Sequence, residues 1–227
     1  WLAAFLINVP LAVLFVALLS GRAFAVEPVK ISRDDTALDL TATTEIYTGR
    51  GEAFQVSTAP GTDGIVRRIE VRATSEEHQG DWAVFALANV SEEQIDRLIV
   101  APHFRLVQSK LFWPDLGAKR IISITPSEGF ALDRQPSEEA DVFRITLNPG
   151  TVVTFVAELA TPDLPQIYLW APDAYKDTVN AFTLYRGIVL GIAGLLAVFL
   201  TILFVVKGTS MLPATAALAW AVLGYIC

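Results

Sequence analysis

Asp81–Asn89 reads DWAVFALAN, a stretch in which both faces of an extended chain are apolar. Alternate side chains of a strand point to opposite faces, so Trp82, Val84, Ala86 and Ala88 fall on one side and Phe85 and Leu87 on the other. A strand exposed on one face alternates apolar with polar; one that is apolar on both is covered on both. The stretch therefore predicts a central strand with material packed above and below it.

Working outward, the neighbouring segments carry the same extended signature in shorter pieces. Ile65–Ala73 (IVRRIEVRA) alternates in part, with Ile65, Ile69 and Val71 opposed to Arg68, Glu70 and Arg72. Further strands are predicted at Val29–Arg33, Phe54–Thr58, Asp96–Val100, Arg120–Thr125, Asp141–Leu147, Val152–Leu159 and Gln166–Trp170. They are separated by turn-forming pieces such as Pro60–Gly64, Gln79–Asp81, Pro126–Gly129 and Asn148–Gly150. Short strands with no long helical period between them predict an all-β, antiparallel sandwich of jelly-roll type over residues 26–172. Trp82 and Trp170 lie within strand patterns and are expected in its core.

The charges fall in the same region. The chain has 227 residues, 53% of them hydrophobic, with 17 Lys and Arg against 24 Asp and Glu for a net charge of −7. All 24 acidic residues lie between Glu27 and Asp177, where 14 basic residues leave a net of −10; the remaining basic residues are Arg22, Arg186 and Lys207. So acidic a surface has no footprint for DNA or RNA, and no nucleic-acid partner is expected. The single cysteine, Cys227, forms no internal disulfide and says little about compartment.

Both ends are apolar. Residues 1–25 contain the run LAVLFVALL (Leu11–Leu19) followed by Ala23-Phe24-Ala25, the pattern of a signal peptide cleaved before Val26; an uncleaved N-terminal anchor is the alternative. Either sends the acidic region across a membrane. Gly187–Val206 (GIVLGIAGLLAVFLTILFVV) holds 20 residues without a charge, matching the roughly 30 Å hydrocarbon core of a bilayer at about 1.5 Å per residue. Tyr185, Arg186 and Lys207 flank it as interfacial anchors. A short loop then leads to a second apolar run, Met211–Cys227, read as the start of a second transmembrane helix in a bundle that continues past the quoted sequence. Residues 173–186 join sandwich to span, either as a short linker or as an extension of the membrane helix. Gly187, Gly191 and Gly194 place small residues on one helical face, open to close helix contact within the bundle or in a homodimer.

Catalytic signatures are lacking: there is no G-x-S-x-G, phosphate-binding glycine loop or Cys–His arrangement, and neither cofactor nor enzymatic activity is expected of this chain. His78 lies among carboxylates without a second histidine at ligand spacing, so no metal is expected. Glu92-Glu93 and Glu138-Glu139 read as exposed charge pairs, and Asn89-Val90-Ser91 fits a glycosylation acceptor by pattern alone. A binding role draws on Ala101–Arg105 and Phe112–Asp115, where His103, Arg105, Trp113 and Asp115 combine an aromatic face with hydrogen-bonding groups suited to carbohydrates and other small polar organics. The alternative for Phe104, Phe112 and Trp113 is the sandwich core.

The order of these parts, with PQIYLWAPDAY (Pro165–Tyr175) and FTLYRGIVLGIAGLLAVFL (Phe182–Leu200), resembles the bacterial seven-transmembrane receptors with diverse intracellular signalling modules. The resemblance covers nearly all of residues 26–227 and is most specific at Tyr168–Pro172 and Tyr185–Gly187. It implies a periplasmic jelly roll similar to carbohydrate-binding modules, an inner-membrane location, and a cytoplasmic output module. The wording is most similar to alphaproteobacterial members that end in cyclic-di-GMP turnover domains. The expectation is the sensory end of a receptor: residues 26–182 in the periplasm bind a small molecule or a periplasmic protein, and Tyr175, Tyr185, Arg186 and Gly187 pass the change to the membrane helices. The alternative is a periplasmic interaction or assembly module anchored in the membrane without ligand sensing.

Overall fold

Fourteen strands and one long helix make up most of the computed structural model, which describes residues 26–74, 80–106, 112–114, 119–162, 164, 166–207 and 216–221. The expected leader, His78, Asp115 and the turn at 208–210 lie outside the described residues. In chain order the strands are β1 (Pro28–Ile31), β2 (Ala37–Asp39), β3 (Glu45–Tyr47), β4 (Ala53–Ser57), β5 (Arg68–Arg72), β6 (Asp81–Asn89) and β7 (Ile95–Pro102). They continue with β8 (Phe104–Leu106), β9 (Phe112–Pro114), β10 (Ile121–Pro126), β11 (Asp133–Gln135), β12 (Ala140–Leu147), β13 (Val152–Leu159) and β14 (Tyr168–Trp170). The helix α1 spans Pro172–Lys207. Contacts divide the chain into two units, Trp1–Ala171 and Pro172–Cys227.

Two five-stranded sheets and two two-stranded ones, β4–β5 and β8–β9, form the β unit. In the first, β6 is flanked by β13 on one side and on the other by β1 and β3, which share its length: Pro28–Ile31 run beside Ala86–Asn89, and Glu45–Tyr47 beside Trp82–Val84. β10 continues that sheet beyond β13, and the second sheet runs β11-β12-β7-β14-β2. Neither sheet is closed. The β1–β6 pairing is parallel, so the first sheet is mixed where antiparallel pairing was expected throughout.

The sheets meet across one apolar core. Ala83, Phe85 and Leu87 of β6 and Val153, Phe155 and Ala157 of β13 face Ile99 and Ala101 of β7, Phe143 and Ile145 of β12, and Leu169 of β14. Phe85 and Phe155 are cross-strand partners whose rings stack at 5.4 Å. Each such side chain contributes about 1.5–3 kcal/mol by leaving water. The other face of β6 is covered as well, because the β4–β5 hairpin lies over it: Phe54, Val56 and Val71 pack on Trp82, Val84, Ala86 and Val156, with Trp82 stacked on Phe54 at 5.9 Å. All nine residues of β6 are buried, which is why the stretch carries no polar alternation.

The strand expected from Ile65 begins three residues later. Gly61 N donates to Ile65 O and Thr58 N to Arg67 O, while Asp63 Oδ1 accepts from Ile65 N, so these groups close a loop instead of extending the ladder. Ile65 and Val66 are left exposed. Trp170, expected in the core, is half-buried.

In the second unit, Pro172 opens α1 where its missing N–H is no loss, and Asp173 sits in the first turn, where a negative charge suits the helix dipole. The helix has 36 residues and a length of about 54 Å. It is long and apolar enough to cross a membrane. Residues 173–186 are helical and continuous with the uncharged segment, and Leu195, Val205 and Val206 are each about three-quarters exposed, surface that lipid covers at no cost. Residues 216–221 are helical too, and Trp220 Nε1 donates to Thr201 Oγ1 at 3.2 Å.

Candidate functional site

Buried polar groups in a domain built on apolar packing require partners, and their whereabouts locate the chemistry. Arg97, Asn89, Glu158 and Asp141 are such groups. Arg97 donates to Ser32 O and Arg33 O and ties the β1–β2 turn to β7; burial pulls its guanidinium below the usual arginine range. Glu158 accepts from Thr74 N and from the hydroxyls of Thr74 and Ser123, holding the end of the β4–β5 hairpin against the first sheet. Asn89 donates through Nδ2 to Glu93 O, Leu147 O and Asn148 O, and its Oδ1 accepts from Ser91 N and Oγ. With 1% of its surface exposed and its amide engaged, Asn89 is a loop clamp, and the glycosylation pattern it begins is not presented by the folded domain.

Asp141 differs in facing a cavity. It is the second residue of β12, and its Oδ2 accepts from Arg120 N at 2.6 Å and Ile121 N at 2.9 Å at the entrance to β10. Its Oδ1 pairs with the guanidinium of Arg134 on β11, which also reaches Ile122 O at 3.3 Å and lies over the Phe143 ring. One carboxylate thus joins the first sheet to the second, with its charge met by two amides and a cation.

His103 follows β7 directly. Its backbone N donates to Glu139 O at 2.9 Å, and its Nδ1 lies 3.1 Å from Glu138 O. Nε2 stands 3.3 Å from Asp141 Oδ2 without hydrogen-bond geometry, and it is buried with no hydrogen-bond partner among the described residues. Next to it opens a cavity of about 620 Å³, walled by His103, Lys119, Arg134, Asp141 and the Gln135–Glu138 turn. That volume falls in the range of small-molecule sites.

Of the four residues singled out for ligand contact, His103 forms part of this wall. Arg105 and Trp113 are cross-strand partners in the β8–β9 hairpin, paired through the backbone, and Asp115 lies outside the described residues. Lys119, Arg134 and Asp141 carry no local signature in the sequence. Asp141 stands second in an apolar strand, an unusual place for a charge, but its partners are scattered from His103 to Arg134 and no spacing rule connects them. The four junction residues Tyr175, Tyr185, Arg186 and Gly187 are all on α1, with Tyr175 and Arg186 about three turns apart on one face. Among the described residues no group of three His, Cys, Asp or Glu side chains is placed to hold a metal ion.

Comparison with protein-family models, curated proteins and solved structures finds no match for this chain.

Proposed function

We propose that the chain is the sensory input portion of a bacterial membrane signalling receptor. The β unit, a jelly-roll sandwich in the periplasm, takes a small polar molecule; the helices cross the inner membrane and lead to a cytoplasmic output module of the cyclic-di-GMP turnover kind. No catalysis is assigned to the chain itself.

The observation that carries this reading is the connection between the units. β14 is an interior strand of the second sheet, paired with β7 on one side and β2 on the other. A single residue, Ala171, separates it from α1, and Ala171 N is itself bonded to Thr36 O at 2.8 Å. A tether meant only to anchor a domain is served by a flexible linker rich in Gly and Ser. The passage Trp170-Ala171-Pro172 from β14 to α1 holds no Gly or Ser, so the sequence supplies no such linker there. Ligand binding acts on such a device by its differential affinity for two states.

The test is thermal unfolding of the whole chain in detergent micelles against a library of sugars, sugar acids and small carboxylates. A ligand at a hundred times its Kd stabilises the fold it binds by about 2.7 kcal/mol, a rise of roughly 5–10 °C for a domain of this size. A flat response across the library, with a stoichiometric protein partner retained in mild detergent, would replace sensing by an assembly role.

A further inference from the structure

We infer that the cavity beside His103 binds an anionic group, with a carboxylate-bearing small molecule as the ligand class. This deepens the sensory reading and rests on it, for it states what such a ligand must carry.

The residues of the wall lead there by their unequal commitments. Asp141, its most buried charge at 2% exposure, is spent on Arg120 N, Ile121 N and Arg134, so its negative charge is already balanced from within. Lys119 is exposed at the wall and has no ion pair among the described residues, and Arg134 keeps over a third of its side chain open to solvent. His103 Nε2 is buried in the same wall without a hydrogen-bond partner among the described residues. The Nδ1 of the same ring meets the Glu138 carbonyl and so carries the ring proton there, which leaves Nε2 a lone pair to which a hydroxyl of the same ligand donates. Glu138 is the opposing group, and its side chain lies on the exposed turn. A domain with a net charge of −10 between Glu27 and Asp177 repels anions over most of its surface. Lys119 and the part of the Arg134 guanidinium left open beside Asp141 give this cavity a cationic edge. A neutral sugar would leave Lys119 without a charged partner among the described residues.

The experiment compares D-galacturonate with D-galactose, a pair of similar shape that differs in the carboxylate, using calorimetric titration and thermal unfolding of the whole chain in micelles. Galacturonate is expected to bind and galactose to bind at least tenfold more weakly. Succinate and inorganic phosphate, run alongside, show whether the site selects a carboxylate or any anion. Lys119→Glu, an exposed substitution that leaves the fold intact, is expected to weaken galacturonate by about tenfold or more, and Lys119→Arg to keep most of the affinity. Equal binding of galacturonate and galactose overturns the assignment of charge while leaving a ligand-binding domain in place. Binding of galacturonate that is indifferent to Lys119→Glu overturns the assignment to this cavity. Silence from galacturonate, succinate and phosphate together overturns the anion site, and the sensory reading then stands or falls on the neutral compounds of the library.

Discussion

Replacing Asn89 by alanine is expected to destabilise the β unit far more than the same replacement at its neighbour Val90. The side chain sits at the end of β6 with 1% exposure, its two Nδ2 protons shared among three carbonyl oxygens and its Oδ1 accepting from Ser91 N and Oγ. Ser91 is close enough to solvent for water to replace what it loses. Leu147 O and Asn148 O, at the turn between β12 and β13, and Glu93 O lose a donor that serves all three at once. With about 1 kcal/mol for each solvent-shielded bond lost, Asn89→Ala costs about 2–4 kcal/mol, a fall in Tm of roughly 5–15 °C for a domain of this size. Asn89→Asp is worse, since it sets a carboxylate against three carbonyl oxygens. Val90, 56% exposed, serves as the control: Val90→Ala is expected within about 0.5 kcal/mol of the parent. The assay is loss of β-sheet circular dichroism on heating or in urea, with the chain in micelles. A cost below about 0.5 kcal/mol for Asn89→Ala would refute the clamp.

Three further outcomes are expected. Gly80→Ala should destabilise more than Gly129→Ala in the same melt: both have positive φ, but a Cβ at Gly80 meets Gly51 O at 2.0 Å, whereas one at Gly129 meets nothing within 4 Å. Phe85→Ala and Phe155→Ala should each cost about 3–5 kcal/mol, and their double mutant should cost less than the two together by about 0.5–1.5 kcal/mol because the rings stack on one another; strict additivity would dissolve the pair. The Asp96 carboxyl is held below its usual range by the Thr146 hydroxyl and the Arg144 guanidinium. A depressed carboxyl stabilises the fold above its unfolded-state pKa and loses that contribution as pH falls through the lower, folded-state value. The stability gap between parent and Asp96→Asn, under about 1 kcal/mol for so exposed a pair, should therefore be present at neutral pH and close below about pH 4; a gap that widens in acid contradicts the assignment.

The long strands were legible because their burial leaves a trace in composition. DWAVFALAN could be read as covered on both faces from six side chains, and β7, β10, β12 and β13 announced themselves by apolar runs between Pro- and Gly-bearing turns. β2, β3, β8, β9 and β11 did not, since a three-residue strand holds too little alternation to be distinguished from a loop and owes its conformation to the neighbour it pairs with. The parallel course of β1 beside β6 is likewise a property of topology: the same four residues read identically in either direction. Ile65 and Val66 looked like strand because their side chains are apolar, whereas the hydroxyl and carboxylate of Thr58 and Asp63 decide where the backbone turns. The site was legible at His103 alone. Asp141 and Arg134 are ordinary charges in the sequence and become a unit only when β11 and β12 pair, and Lys119 joins them across the cavity through the start of β10.

Coupling between the β unit and α1 is the claim on which the proposed function depends, and the most direct measurement is signalling by the proposed receptor, in a form that carries an output module, after insertion of Gly-Ser-Gly-Ser behind Asn180. Each glycine costs the helix about 1 kcal/mol, and the insert breaks the continuous run from Pro172 to Lys207 without touching the sandwich. Ligand affinity of the β unit should be unchanged while output no longer responds to ligand. A response of full amplitude through the broken helix would contradict the coupling and leave the β unit as a tethered binding module.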